Sequence, residues 1–108
     1  MKLFATLKKV REFERLQLTF LRSLIDFDII IEIGYAEEQK QPLTPKQLFL
    51  LHLGSVTTVR RRLAKLVDKG IVTRRTNAKD RRSEHLAIGS ASIKLLAKYG
   101  KLLTTASM

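Results

Sequence analysis

Apolar positions along this chain recur every three or four residues, break that rhythm once into two short runs, and then resume it. Residues 3–21 place Leu3, Leu7, Val10, Phe13 (or Phe4), Leu16, Leu18 and Leu21 mostly three and four apart, with Lys8, Lys9, Arg11, Glu12, Glu14 and Arg15 opposite. That spacing predicts an amphipathic helix. Such a helix can simply pack on the domain surface, but a terminal helix with this many leucines has little monomer core left to cover, so dimerisation is the expected role. Leu24 to Gln39 is the most apolar part. Its β-branched stretch Phe27–Ile33 would suit a strand. Leu24, Phe27, Ile30, Ile31 and Tyr35 nevertheless keep helical spacing, and Ser23 with Asp26 can cap the start, so a helix is expected. Gly34 then costs about 1 kcal/mol without forbidding it. The acidic residues Asp26, Asp28, Glu32, Glu37 and Glu38 lack a histidine or other ligand pattern and read as solvated faces and caps.

After a polar linker over residues 38–42, Thr44-Pro45-Lys46-Gln47 carries three start signals: an N-cap, proline at the first helical position and a capping box. The helix is expected to reach about His52, with Leu48 and Leu51 inward and His52 at its end or in the core. Gly54 is expected to make a turn and Ser55 to cap the next helix, Val56 to Lys69. There Val56, Val59, Leu63, Leu66 and Val67 fall on one side. Thr57, Thr58, Arg61, Lys65 and Asp68 fall opposite, and Arg60 and Arg62 flank the apolar stripe. Gly70 ends the helix. Ile71–Arg75 and Ser83–Ile88 read as two strands joined by the polar tip Thr76–Arg82. Ser90 is placed to cap a last helix, Ala91 to about Leu103, with Ile93, Leu96, Ala97 and either Tyr99 or Gly100 inward, and residues 104–108 are expected to fray. The sum is a mainly α chain with a small two-stranded β-wing, an α+β winged helix-turn-helix. One domain is expected over residues 1–108: N-terminal helices in 1–40, helix-turn-helix and wing in 44–88, and the C-terminal helix in 90–103.

Charge gives this pattern a chemistry. The net charge is +11, and residues 55–82 alone hold ten Lys/Arg against two Asp/Glu. A block this local points to a polyanion, and double-stranded nucleic acid fits better than a membrane, because no helix pairs a basic face with bulky aromatics. The second helix of such a unit lies in the major groove. Ser55, Thr57 and Thr58 stand at its N-terminus, where hydroxyls and free N–H groups can meet bases or phosphates. Arg61 can grip guanine through two bonds, Lys65 would meet a phosphate, and Arg60 and Arg62 add to the same basic helix. Thr44 and Lys46 could contact phosphate from the preceding helix. Arg74, Arg75, Lys79, Arg81 and Arg82 make the wing basic, suited to a narrow minor groove, and Asp80 can hold Arg82 in one direction. The chain has no cysteine, which excludes disulfides, thiolate metal sites and thiol-based sensing. No nucleophile–base set, metal cluster or glycine-rich phosphate loop suggests an enzyme, and no metal or cofactor is expected. No apolar run is long enough to span a membrane.

Three segments resemble the MarR family of winged-helix regulators. Ser55-Val56-Thr57-Thr58-Val59 resembles the start of its recognition helix, and Leu63–Val72 the stretch joining helix to wing. Asp80-Arg81-Arg82-Ser83 matches its D-x-R wing motif. The resemblance implies that Arg82 enters the minor groove braced by Asp80. It also implies a homodimer, joined through N- and C-terminal helices, on pseudo-palindromic DNA. Ile88-Gly89-Ser90 stands where the family usually has a Leu-Thr pair. The single C-terminal helix is shorter than usual, closer to the SarA-like regulators, and implies a small ligand pocket or none. The expected function is a sequence-specific transcriptional regulator, a repressor, in the cytoplasm at the nucleoid. The competing readings are an architectural or replication-associated DNA binder with little sequence preference, and a winged-helix protein-interaction module. The sequence names no effector.

Overall fold

The computed structural model describes residues 3–76 and 84–107, with side chains through residue 104. The order is α1 (Leu3–Gln17), α2 (Leu24–Glu38), α3 (Pro45–Leu50), α4 (Val56–Asp68), β1 (Val72–Thr76), β2 (Glu84–Ile88) and α5 (Ser90–Ser107). The two strands pair antiparallel, with Val72 opposite Ile88 and Thr76 opposite Glu84. This is the mainly helical, two-stranded architecture that the hydrophobic pattern predicts.

Caps set most helix starts. The Ser23 hydroxyl accepts from Asp26 N at the start of α2, and Ser55 Oγ accepts from Thr58 N at the start of α4. At α3 the capping box is complete: Thr44 Oγ1 accepts from Gln47 N at 3.2 Å, and Gln47 Oε1 accepts from Thr44 N at 2.9 Å. Gly70, at φ +74°, closes α4 in the left-handed region. The last helix begins at Ser90 itself, so Ser90 is not its cap. It runs on as helix to Ser107 where fraying was expected, and α1 stops at Gln17, short of Leu21.

The core collects Leu18, Ile29, Ile30, Ile33, Leu48, Val59, Leu63, Leu66, Val72, Leu86 and Ile88 around the meeting of α2, α3, α4 and the wing base. Several inward assignments change. In α2 the buried stripe is Ile29, Ile30, Ile33 and Ala36, while Leu24, Ile31 and Tyr35 are exposed. Apolar residues surround most of α2, so spacing alone did not choose its inner face. Leu51, Val56 and Ile93 are exposed, as is Ala97. His52 is exposed and adopts φ +57°, so the left-handed turn residue is His52 and not Gly54. Gly54 has a different reason: a Cβ there would stand 3.1 Å from Ile25 Cδ1, where the turn presses on α2.

β2 is tied on its outer edge as well as to β1. Leu86 N donates to Leu43 O at 2.8 Å, and Ile88 N donates to Glu37 Oε1 at 2.8 Å. These bonds satisfy edge donors that would otherwise invite another strand. They also join the wing base to α2 and the linker before α3. Gly89 follows because the chain crosses the end of α4 there, and a Cβ would lie 2.3 Å from Gly70 O.

Candidate nucleic-acid interface

Helix α4 is held by one face and open on the other. Val59, Leu63 and Leu66 are buried, and Val67 packs at their margin. Thr57, Arg61 and Lys65 are exposed and lie in line, four residues apart, with Ala64 and Asp68 alongside. Arg61 and Lys65 have no ion-pair partner among the described residues. Their charges therefore face solvent, where a polyanion could reach them.

The other residues expected at this surface have defined surroundings. The Ser55 hydroxyl accepts from Thr58 N and donates to Thr58 Oγ1 at 2.9 Å, so both side chains build the helix cap. Thr44 likewise caps α3, and Lys46 is exposed beside it. The Arg60 guanidinium lies 5.4 Å from the centre of the Phe49 ring, a cation–π distance that leans it back on α3. On β1, Arg74 and Arg75 are exposed. Arg74 Nη1 sits 3.6 Å from Glu84 Oε2 across the ladder, and Arg75 is opposite His85. Lys79, Asp80, Arg81 and Arg82 lie outside the described residues.

Arg62 departs from expectation. Its side chain turns inward and forks onto Asp26, with Nε to Oδ1 and Nη2 to Oδ2 both at 2.6 Å. Asp26 is fully buried, and only 15 % of the Arg62 side chain is exposed. Arg62 is thus part of the packing between α4 and α2 rather than of the open basic face, because the fork occupies its guanidinium. Asp26 is correspondingly not a solvated helix carboxylate. Burial pushes its pKa up, but the Arg62 hydrogen bonds, the Arg22 N–H, the Arg62 charge and the Ser23 backbone outweigh it and hold the carboxyl below its ordinary value. Sequence reasoning missed this pair. The signal was an arginine bordering the apolar stripe of α4 and an aspartate inside the most apolar helix.

A cavity of about 390 Å³ opens at the α1–α2 corner, with Arg11, Arg15, Arg22 and Glu14 on its polar side and Leu24 and Phe27 on its apolar side. That is toward the small end for small-molecule sites. Among the described residues no group of three or more His, Asp or Glu is placed to hold a metal ion, and no helix is long and apolar enough to cross a membrane.

No protein-family model matches the chain, and no curated protein matches it. Solved structures do. A transcriptional regulator from Thermotoga maritima is 26 % identical, with a TM-score of 0.63 over 92 % of this chain and 68 % of that one. The S. aureus MepR–DNA complex is 19 % identical, with a TM-score of 0.72 over 93 % of this chain and 70 % of MepR. A mutant MarR from E. coli complexed with operator DNA is 19 % identical, with a TM-score of 0.59 over 94 % of this chain and 70 % of that one. The resemblance carried by the helix and wing motifs therefore extends to the three-dimensional fold: this chain has the winged-helix fold of the MarR and MepR regulators.

Proposed function

We propose that the chain is a sequence-specific double-stranded DNA-binding transcriptional regulator, a homodimeric repressor on a pseudo-palindromic site, working at the nucleoid in the cytoplasm. One observation carries the reading: the solvent-facing line Thr57–Arg61–Lys65 on a helix whose other face is anchored in the core. A rigid helix presenting a short hydroxyl, a forked cation and a point cation in register suits base and phosphate contacts in the major groove. Arg74 and Arg75 extend the basic surface onto the wing. Lys79, Arg81 and Arg82, with Asp80 as brace, are assigned to the minor groove on the strength of the sequence motif. Three of the solved structures of the same fold are complexes with DNA, one of them with operator DNA, which supports the assignment.

The homodimer is supported by α1. It contributes no buried residue, and Leu3, Phe4, Leu7 and Leu16 are exposed along it. Two copies joined there would set their recognition helices into successive major grooves, about 34–36 Å apart.

The test is selection of bound duplexes from a random pool, then titration of the selected duplex against a scrambled one at about physiological salt. A palindromic selected site held roughly 10³-fold or more tighter than the scramble is expected. Equal, salt-sensitive binding to both duplexes would favour an architectural binder, and no binding to either would leave only the interaction-module reading.

A further inference from the structure

Besides Arg60 leaning on Phe49 of α3, the helix proposed to read bases is held to the core by two kinds of contact. The first is apolar: Val59, Leu63 and Leu66 form a stripe against the core. Apolar burial is favourable but non-directional. The stripe seats α4 against the core but supplies no hydrogen-bond direction. The second contact is the Asp26–Arg62 fork, and it is directional. Two parallel bonds of 2.6 Å hold a planar guanidinium to a planar carboxylate.

The carboxylate end of the fork is itself immobilised. Asp26 Oδ2 also accepts from Arg22 N at 2.9 Å, and Asp26 N donates to the Ser23 hydroxyl at 3.3 Å. The aspartate is thereby fixed to the first turn of α2 and to the corner before it. The fork takes the place a plain apolar contact could fill, and a buried ion pair is often no more stabilising than apolar residues of similar volume. What it adds is direction.

We propose that the Asp26–Arg62 pair is a positioning device that sets the rotation of α4, and with it the base discrimination made through Arg61. The proposal rests on the DNA-binding reading above. Arg61 is the residue next to Arg62, so any rotation that the fork prevents would be transmitted to Arg61 directly. A side chain at a radius of roughly 5–6 Å moves by about 2 Å when its helix turns by about 20°. Hydrogen bonds tolerate only a few tenths of an ångström. A slack α4 would therefore keep its charge near the duplex while losing the aim of Arg61. Arg62 is a positioning residue that acts without touching DNA.

Two variants test this against the wild-type chain. Asp26→Asn combined with Arg62→Leu removes both charges, keeps an acceptor for Arg22 N–H and leaves no orphaned buried ion. Arg62→Lys keeps the charge but cannot form the two-point fork, and it carries the test if the double variant does not fold. Each variant is compared with wild type at a temperature where circular dichroism shows it folded. Affinities for the selected and scrambled duplexes are measured over a range of salt.

The expected result is a loss of about tenfold or more in preference for the selected duplex. Binding to the scramble should stay within about twofold, and the dependence on salt should be unchanged, since no phosphate contact is lost. Preference retained by a folded variant overturns the positioning role. Uniformly weaker binding to both duplexes, with the salt slope reduced by about one, overturns it in a different way by making Arg62 a phosphate contact. A wild-type chain that does not distinguish the duplexes overturns the regulator reading and this role with it. In the first two cases the regulator reading stands.

Discussion

Gly34 and Gly89 sit in opposite surroundings, and the difference predicts opposite effects of adding one methyl group. Gly34 is inside α2, and a Cβ there would meet Ile88 Cγ1 at 3.8 Å, an ordinary van der Waals contact. Gly34→Ala should therefore stabilise the fold by about 1 kcal/mol through helix propensity, seen as a higher urea midpoint at unchanged slope. At Gly89 the same methyl would lie 2.3 Å from a backbone oxygen of Gly70 that cannot swing away. Gly89→Ala should destabilise by about 1–3 kcal/mol in the same titration. Asp26 predicts a pH effect. Its carboxyl is held below its ordinary value in the fold, so its stabilising contribution is complete above the ordinary carboxylate pKa of about 4. That contribution is lost as pH falls from there through the lowered folded value. Urea midpoints should drop over this acid range in the wild type and drop less in the combined Asp26→Asn, Arg62→Leu variant. Equal acid sensitivity in both would assign the loss to other carboxylates.

At the scale of elements, α4 divides its residues between anchoring and presentation. Arg61→Ala should weaken binding to the selected duplex by about 1–3 kcal/mol and relax preference at one base position. Lys65→Ala should weaken binding to every duplex similarly and lower the salt slope by about one. Exchange of these two patterns in a salt titration would exchange the assigned roles. The division was half legible in the sequence. The capping box of α3, the Ser55 cap and the Val59, Leu63 and Leu66 part of the α4 stripe are local patterns that stand in the structure, while Val56, read on the same side, is exposed. Arg62 was not legible, because a residue bordering an apolar stripe can turn either way and its partner lies 36 positions earlier. The inner face of α2 was equally ambiguous, since the exposed Leu24 and Ile31 are as apolar as the buried Ile29, Ile30 and Ile33.

On the scale of the whole molecule, the described chain measures 50 × 27 × 22 Å, long for its size, with α1 and α5 packed together. Phe13 stacks on Tyr99 at 5.7 Å, Tyr99 meets Phe27 edge-on at 6.0 Å, and the Tyr99 hydroxyl donates to Glu14 Oε1 at 3.2 Å. This cluster joins α1, α2 and α5, so the outer face of α1 has a firm backing. Phe4, at 78 % exposed, and Leu7 lie on that outer face. If the proposed homodimer forms there, Leu7→Glu should yield a folded monomer by light scattering that holds the selected duplex far more weakly than wild type. An unchanged dimer would place the interface elsewhere.

Local and additive properties could be read from the residues in order. Helix starts, the two-stranded wing, the basic block over residues 55–82 and the winged-helix order depend on near neighbours in the chain or on composition, so they survive without knowledge of packing. Only the tertiary structure decided which charges are available. It drew Arg62 into the core against Asp26, leaned Arg60 on Phe49 and left Arg61 and Lys65 facing solvent. The physical reason is that a charge's environment is set by whatever helix packs beside it, and that contact is made between residues distant in sequence.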